Sequence, residues 1–307
     1  MFATLAGAYP WPTDLSPEAA LDAVVAAQAR AGLGLLSDGR VHDASTPGAE
    51  LVAAWAATRA AAAVHGPDLP VKLALEGPWT RAAGQTEGGA PAPGGAAAQE
   101  IVAVLREGLA QLADAGCPVV EIHEAAAALP ANETGRAAFA AVHGALLAGF
   151  PEHLHACLAI TGGDATPLGA EALFAAPYRS HLFDLVAGPD SWRLVAVAPR
   201  ERGIVAGVGD ASGRHRTRLE DLVWAASYAA STQGRGIDRV GIAPSASLAG
   251  LDPAAARAIV DLLGEAARTI AGGREEVVER LDPRAIDARS AALGHYRPAR
   301  SSDPAER

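Results

Sequence analysis

Two regimes of apolar and polar positions alternate along this chain from one end to the other. Short apolar runs are separated by long Ala- and Leu-rich stretches in which polar residues recur at helical spacing. The short runs predict strands at Ala3–Ala8, Gly34–Ser37, Val71–Leu75, Val119–Ile122, Leu154–Ala159, Leu182–Val186, Ile204–Val208 and Arg239–Ala243. The longer stretches predict helices beginning near Pro17, Ala49, Ala97, Glu133, Leu168, Asp190, Arg218 and Pro253. Ser16-Pro17 and Asp252-Pro253 each set an N-cap oxygen before a proline in the first turn, and Thr217 with Glu220 has capping-box spacing. Strands alternating with helices in this way predict an α/β protein, a single (β/α)8 TIM-type barrel. A doubly wound sheet alternates too, but no glycine-rich dinucleotide fingerprint follows the first strand.

Two segments break the rhythm. Residues 81–98 (RAAGQTEGGAPAPGGAAA) predict an irregular loop over the barrel mouth, either a lid or a tolerated insertion. The polar stretch from Arg297 predicts a flexible tail, so the barrel is expected over residues 1–296 and the tail over 297–307.

Composition narrows the function classes. The net charge of -10 is spread among interspersed acids and arginines with no basic stripe, which argues against a nucleic-acid partner. No apolar run reaches the length of a membrane span, about 18 residues. The opening Met1-Phe2-Ala3-Thr4 lacks a basic region followed by an apolar stretch. Two cysteines without a framework fit a reducing compartment. A cytoplasmic protein acting on a small molecule is expected.

In such barrels reactive groups sit where strands run into their following loops. A strand at Leu154–Ala159 turns His155 and Cys157 to one face, an imidazole and a thiol of the type zinc prefers. His123 and Glu124 offer an acid–base pair at the end of the fourth strand, and Arg40 offers a bidentate clamp for a carboxylate or phosphate. Glu76 projects into the mouth beside Gly77-Pro78, and Trp79 and Trp11 are candidate walls for an aromatic or pterin-sized ligand. Asp38 reads as a loop cap, and Asp210 with His215 as a turn. Cys117 reads as structural, and His42, His65, His143, His181 and His295 stand in no constellation.

Taken in order, these strand ends resemble the C-terminal catalytic barrel of cobalamin-independent methionine synthase, in the superfamily that includes uroporphyrinogen decarboxylase. The similarity spans nearly the whole chain: Gly7-Ala8-Tyr9-Pro10, Gly32-Leu33 through Asp38-Gly39, Glu76-Gly77-Pro78-Trp79-Thr80, Ala115-Gly116-Cys117 into Glu121-Ile122-His123-Glu124, His155-Ala156-Cys157, and Gly203 to Val208. The resemblance implies zinc held by a histidine, two cysteines and a carboxylate, a homocysteine thiol ionised on that zinc, and a methyl group from a methyltetrahydrofolate. On that basis His155 and Cys157 are expected metal ligands, with Asp184 the nearest candidate carboxylate.

The chain departs from the family pattern at three places. Ala246 stands where the second cysteine belongs, His123 where an aspartate holds the substrate amino group, and Arg40 where a glutamate contributes to substrate binding. Losing acids and gaining bases shifts the expected ligand toward an anion. The expectation is therefore a methyl or alkyl transferase acting on a thiol, zinc-assisted, with a diverged site. The rivals are a metal-free lyase or decarboxylase using His123 and Arg40, and a non-catalytic ligand-binding barrel.

Overall fold

The computed structural model describes residues 1–84, 96–129 and 131–281. Its centre is a seven-stranded, wholly parallel sheet: β1 (Phe2–Ala3), β2 (Lys72–Glu76), β3 (Val119–His123), β4 (His155–Ile160), β5 (Ser180–Asp184), β6 (Gly203–Gly209) and β7 (Val240–Pro244). The spatial order is β1-β7-β6-β5-β4-β3-β2, so successive strands from β2 to β7 are neighbours joined by crossovers.

Helices cover the outer face: α1 (Pro17–Ala31), α2 (Gly48–Ala63), α3 (Pro78–Gly84), α4 (Ala96–Asp114), α5 (Glu133–Leu147), α6 (Gly169–Ala175), α7 (Trp192–Val197), α8 (Leu219–Ser231), α9 (Pro253–Ala271) and α10 (Gly273–Arg280). Ser16 caps α1 through Ala19 N–H, and Asp252 caps α9 through Ala254 N–H, each ahead of its proline. The pairing expected of Thr217 with Glu220 does not form, because the Thr217 hydroxyl accepts the Asp210 N–H at 2.8 Å instead. Among the described residues no helix is long and apolar enough to cross a membrane.

The continuous eight-stranded barrel expected from the sequence is not formed. Segment 34–37 makes single parallel bridges, Thr4 to Leu35 and Leu36 to Val71, rather than a ladder between the edge strands β1 and β2. The reason lies in α1, where the Gln28 amide turns toward the segment. Its Nε2 donates to Ser37 O at 2.7 Å and its Oε1 accepts Ser37 N–H at 3.0 Å, taking the groups a longer ladder would use. The result is an open, barrel-like sheet. Its concave face holds a small apolar cluster of Ala6, Cys157, Ala159, Leu182, Val205 and Ala243. The larger core lies between sheet and helices, where Phe139, Tyr178 and Phe183 are fully buried. Burying each such ring stabilises the fold by about 1.5–3 kcal/mol.

The loop expected at residues 81–98 begins later than its composition suggests. Arg81 to Gly84 complete helix α3, and α4 starts at Ala96. The rest of that loop, His295 and the tail from Arg297 lie outside the described residues.

Candidate active site

The two-residue period of a strand places Glu121 and His123 of β3 together on the concave face. His123 Nε2 lies 2.7 Å from Glu121 Oε1. The other carboxylate oxygen of Glu121 accepts from Lys72 Nζ at 2.5 Å, and Lys72 also donates to the Leu5 carbonyl at 2.6 Å. Lys72 is the only lysine of the chain, and it ties β2 to the segment following β1 across the gap between the edge strands.

Burial alone would push the Glu121 carboxyl up. The Lys72 ammonium and the His123 ring outweigh it and hold the carboxyl at about 2. A carboxylate fixed in this way selects the tautomer with hydrogen on His123 Nε2 and leaves Nδ1 as a proton acceptor. No described group hydrogen-bonds that Nδ1. The ring stands at the C-terminal edge of the sheet. A β-carbon built on Gly7 would come within 3.5 Å of His123 Cε1 and 3.4 Å of Ser247 Cβ, and Gly7 itself turns at φ +64°.

Glu124 points the other way. Its carboxylate accepts Trp79 N–H at 3.0 Å, and Thr80 N–H and hydroxyl at 2.6 Å each, closing the N-terminus of α3. His143 Nε2 lies 3.2 Å away, off the line for a hydrogen bond, and Gly77 is glycine because a β-carbon there would sit 2.1 Å from Glu124 Oε1. The expected His123–Glu124 acid–base pair is therefore replaced by His123 with Glu121. Trp79 is likewise drawn into the helix layer, edge-on to Phe139 at 5.6 Å, and does not wall a ligand site.

The three expected zinc ligands are not brought together. His155 and Cys157 do share a face, as their spacing requires, but they begin β4 rather than end it. Cys157 is level with Ser180, while Asp184 ends β5 four residues further on. At 3.3 Å per residue that is about 13 Å, whereas ligands of one zinc ion lie within about 4 Å of each other. Each also has other partners. His155 Nε2 is 2.8 Å from Ser180 Oγ, and burial, with Arg179 nearby, holds its pKa below the ordinary value. Burial, then Glu121, pushes the Cys157 thiol up to about 12. Asp184 accepts N–H bonds from Gly162, Val186 and Ala187, closing its own loop, and its pKa is raised by burial. Among the described residues no three His, Cys, Asp or Glu side chains group as a metal site.

Arg40 and Trp11 are brought together, the guanidinium 3.9 Å above the indole ring. Their loops are joined by Tyr9 N–H to Gly39 O at 2.9 Å, which sets the pair on the loops beside Gly7. Asp38 caps its loop through Arg40 N–H and holds His42 Nε2 at 2.7 Å. Asp210 caps the loop after β6 through Ser212 and His215 N–H. Glu76 is half-buried, 3.8 Å from Arg81, and burial followed by the charge of Asp43 raises its pKa. Cys117 is buried behind the sheet, its thiol pushed by burial to about 12.

Neither Lys72 nor Glu121 was a candidate site residue, although Glu121 opens the Glu121-Ile122-His123-Glu124 string, and both left a trace in the sequence. Glu121 stands two residues before His123 in a predicted strand, and a lone lysine lies inside another apolar strand run.

The fold defines a class, the TIM-barrel-like α/β proteins, and solved structures place the chain among them. A B12-independent methionine synthase from a Shewanella species superposes with a TM-score of 0.71 at 14% identity, over 88% of this chain and 97% of that one. A putative vitamin-B12 independent methionine synthase from Listeria monocytogenes gives 0.67 at 13%, over 88% and 98%. A D-allulose 3-epimerase from a Methylomonas species gives 0.55 at 16%, over 88% and 97%. These likenesses show the fold. No family model and no curated protein sequence matches the chain.

Proposed function

We propose that this chain is an enzyme that moves a proton to or from a small anionic substrate at the C-terminal edge of its sheet, with His123 as the general base. One observation carries the reading: His123 Nε2 is held 2.7 Å from a buried carboxylate that Lys72 keeps ionised, while its Nδ1 stays open. That is the arrangement of a base with its orienting partner. Arg40, spread over Trp11 on the neighbouring loops, supplies the charge for an anionic head group. The reaction classes that fit are those of a lyase, decarboxylase or isomerase, in which a proton leaves or joins carbon. His155, Cys157 and Asp184 do not fit zinc as a set, so no step is assigned to a metal.

Methyl transfer to a thiol is the second reading, favoured by the likeness to the two B12-independent methionine synthases, whose TM-scores of 0.71 and 0.67 exceed that of the epimerase. In it His123 Nδ1 would take the thiol proton as the sulfur attacks the methyl group of a methyltetrahydrofolate; the methyl–nitrogen bond would break, and that nitrogen would receive the proton from His123 to leave as tetrahydrofolate.

Incubation with a panel of small 2-oxo acids and hydroxy acids in D2O, read by NMR, separates the two readings. Hydrogen–deuterium exchange at carbon that is lost in His123→Ala supports proton transfer. Absence of exchange, together with S-methylation of an added thiol, overturns it in favour of the second reading.

A further inference from the structure

The opposite, N-terminal edge of the sheet holds a cavity that the proposed reaction does not use. Its volume of about 410 Å³ falls within the range of small-molecule sites, about 300–1,000 Å³. The wall is built from strand beginnings: Phe2 of β1, His155 of β4, Ser180 of β5 with Arg179 before it, Gly203 of β6 with Arg202 before it, and Arg239 before β7. Glycine at 203 keeps this edge open, because a β-carbon there would meet Ser180 Cβ at 3.0 Å. Phe2 and Val205 form the apolar part of the wall and belong to the interior apolar cluster.

The charges are arranged to favour an anion. Arg179 and Arg239 have no carboxylate within 4.0 Å among the described residues. Arg202 donates one guanidinium N–H to Tyr178 O, but its Nε is buried with no hydrogen-bond acceptor, and Glu201 comes no nearer than 4.0 Å. Glu201 and Asp238 stand exposed on the rim, which leaves three guanidinium groups against two carboxylates. Deeper in the wall, His155 and Ser180 are a hydrogen-bonded pair at 2.8 Å.

We propose that this cavity binds a small organic anion, its charged head among Arg179, Arg202 and Arg239 and its apolar body against Phe2 and Val205. The occupant is a ligand distinct from the substrate, because the site opens at the edge opposite His123 and Arg40. The proposal does not depend on the function proposed above.

Calorimetric titration of the full chain with phenyl phosphate at constant ionic strength tests it, with inorganic phosphate and benzyl alcohol titrated separately as head and body. Saturable binding is expected, at least about tenfold weaker in Arg179→Gln, the size of effect a lost charged hydrogen bond produces. Arg179 is exposed, so this variant keeps its fold, and an unchanged melting temperature verifies that. Gly203→Val, which fills the opening, is expected to abolish binding, while Arg40→Gln leaves it intact. No saturable binding, equal affinity in wild type and Arg179→Gln, equal affinity for benzyl alcohol, or loss in Arg40→Gln would each overturn the proposal.

Discussion

Strand β3 and the residue that follows it set a glutamate against a histidine on each side of the sheet, and the two sides use them in opposite ways. On the concave face Glu121 meets one ammonium and one imidazole, and the imidazole keeps a free nitrogen. On the outer face Glu124 is met by two backbone N–H groups and a hydroxyl, and its histidine neighbour, His143, is wedged against Phe139 and bonded to Tyr178. The residue types are the same. What differs is what each carboxylate is bonded to: Glu124 is saturated by backbone N–H groups and a hydroxyl, with the unbonded His143 Nε2 buried beside it, whereas Glu121 orients an imidazole at the sheet edge. A carboxylate saturated by a helix N-terminus is a building element, whereas one that orients a base while leaving that base open is available for chemistry.

The largest expected effect falls on the inner histidine. His123→Ala should lower deuterium exchange at substrate carbon by about 10²–10⁴ at a stability cost of about 1–3 kcal/mol for the unpaired Glu121 oxygen, and added imidazole should restore part of the rate. A variant that keeps the wild-type rate would remove the functional half of the comparison. Next comes Lys72→Met, which strands a buried carboxylate. Urea unfolding should show a loss of about 3–5 kcal/mol, and adding Glu121→Leu should recover most of it without restoring exchange.

On the outer face, Glu124→Gln turns an amide NH2 toward donors that need acceptors. It should cost about 1–3 kcal/mol and leave exchange in the folded fraction unchanged. Loss of exchange at unaltered stability would show that the two faces are not separate.

Over the window from pH 7 to 5, a pH dependence of stability comparable to the Glu124→Gln effect is expected. Burial holds the His181 pKa at about 3, so the folded protein keeps this ring neutral while the unfolded chain protonates it near pH 6.5. The stability from that neutral ring is complete above pH 6.5. It falls by about 1.4 kcal/mol per pH unit on acidification toward pH 3. Glu121, held at about 2, adds its own loss below its ordinary value of 4.5. Unfolding of His181→Phe followed from pH 7 to 5 should show a shallower acid slope, because His181 packs among Phe174, Tyr178 and Phe183 and phenylalanine suits that site. An unchanged slope would mean that the ring already carries its proton in the fold.

Much of the secondary structure was legible. The predicted strands at Val71, Val119, Leu154, Ile204 and Arg239 match β2, β3, β4, β6 and β7 to within one residue at every end, because buried parallel strands read as uninterrupted apolar runs. The strand predicted at Leu182–Val186 lies two residues late. Asp184 turns its carboxylate back onto Val186 and Ala187 N–H and ends the strand, a side-chain contact that hydropathy does not record. The strand at Gly34–Ser37 shrank to bridges for a similar reason, the Gln28 amide 9 residues away in sequence.

The site was legible in part. His123 was marked by its position at a strand end, but its partner was sought in the adjacent Glu124 rather than two residues back. The His155-Ala156-Cys157 string shares one face as its spacing required, at the wrong end of its strand for a ligand set with Asp184.

Most strand and helix segments, and the side chains that share a face, follow from local periods of two and about 3.6 residues and can be read along the chain, segment 34–37 being an exception. The sequence by itself did not determine how far along the sheet each side chain stands. That level depends on how each strand is aligned with its neighbours, through hydrogen bonds to partners tens of residues away: β3 with β4, β4 with β5. The register of the assembled sheet therefore brings Lys72, Glu121 and His123 into one array, sends Glu124 to the helix layer, and sets His155 and Asp184 at opposite edges.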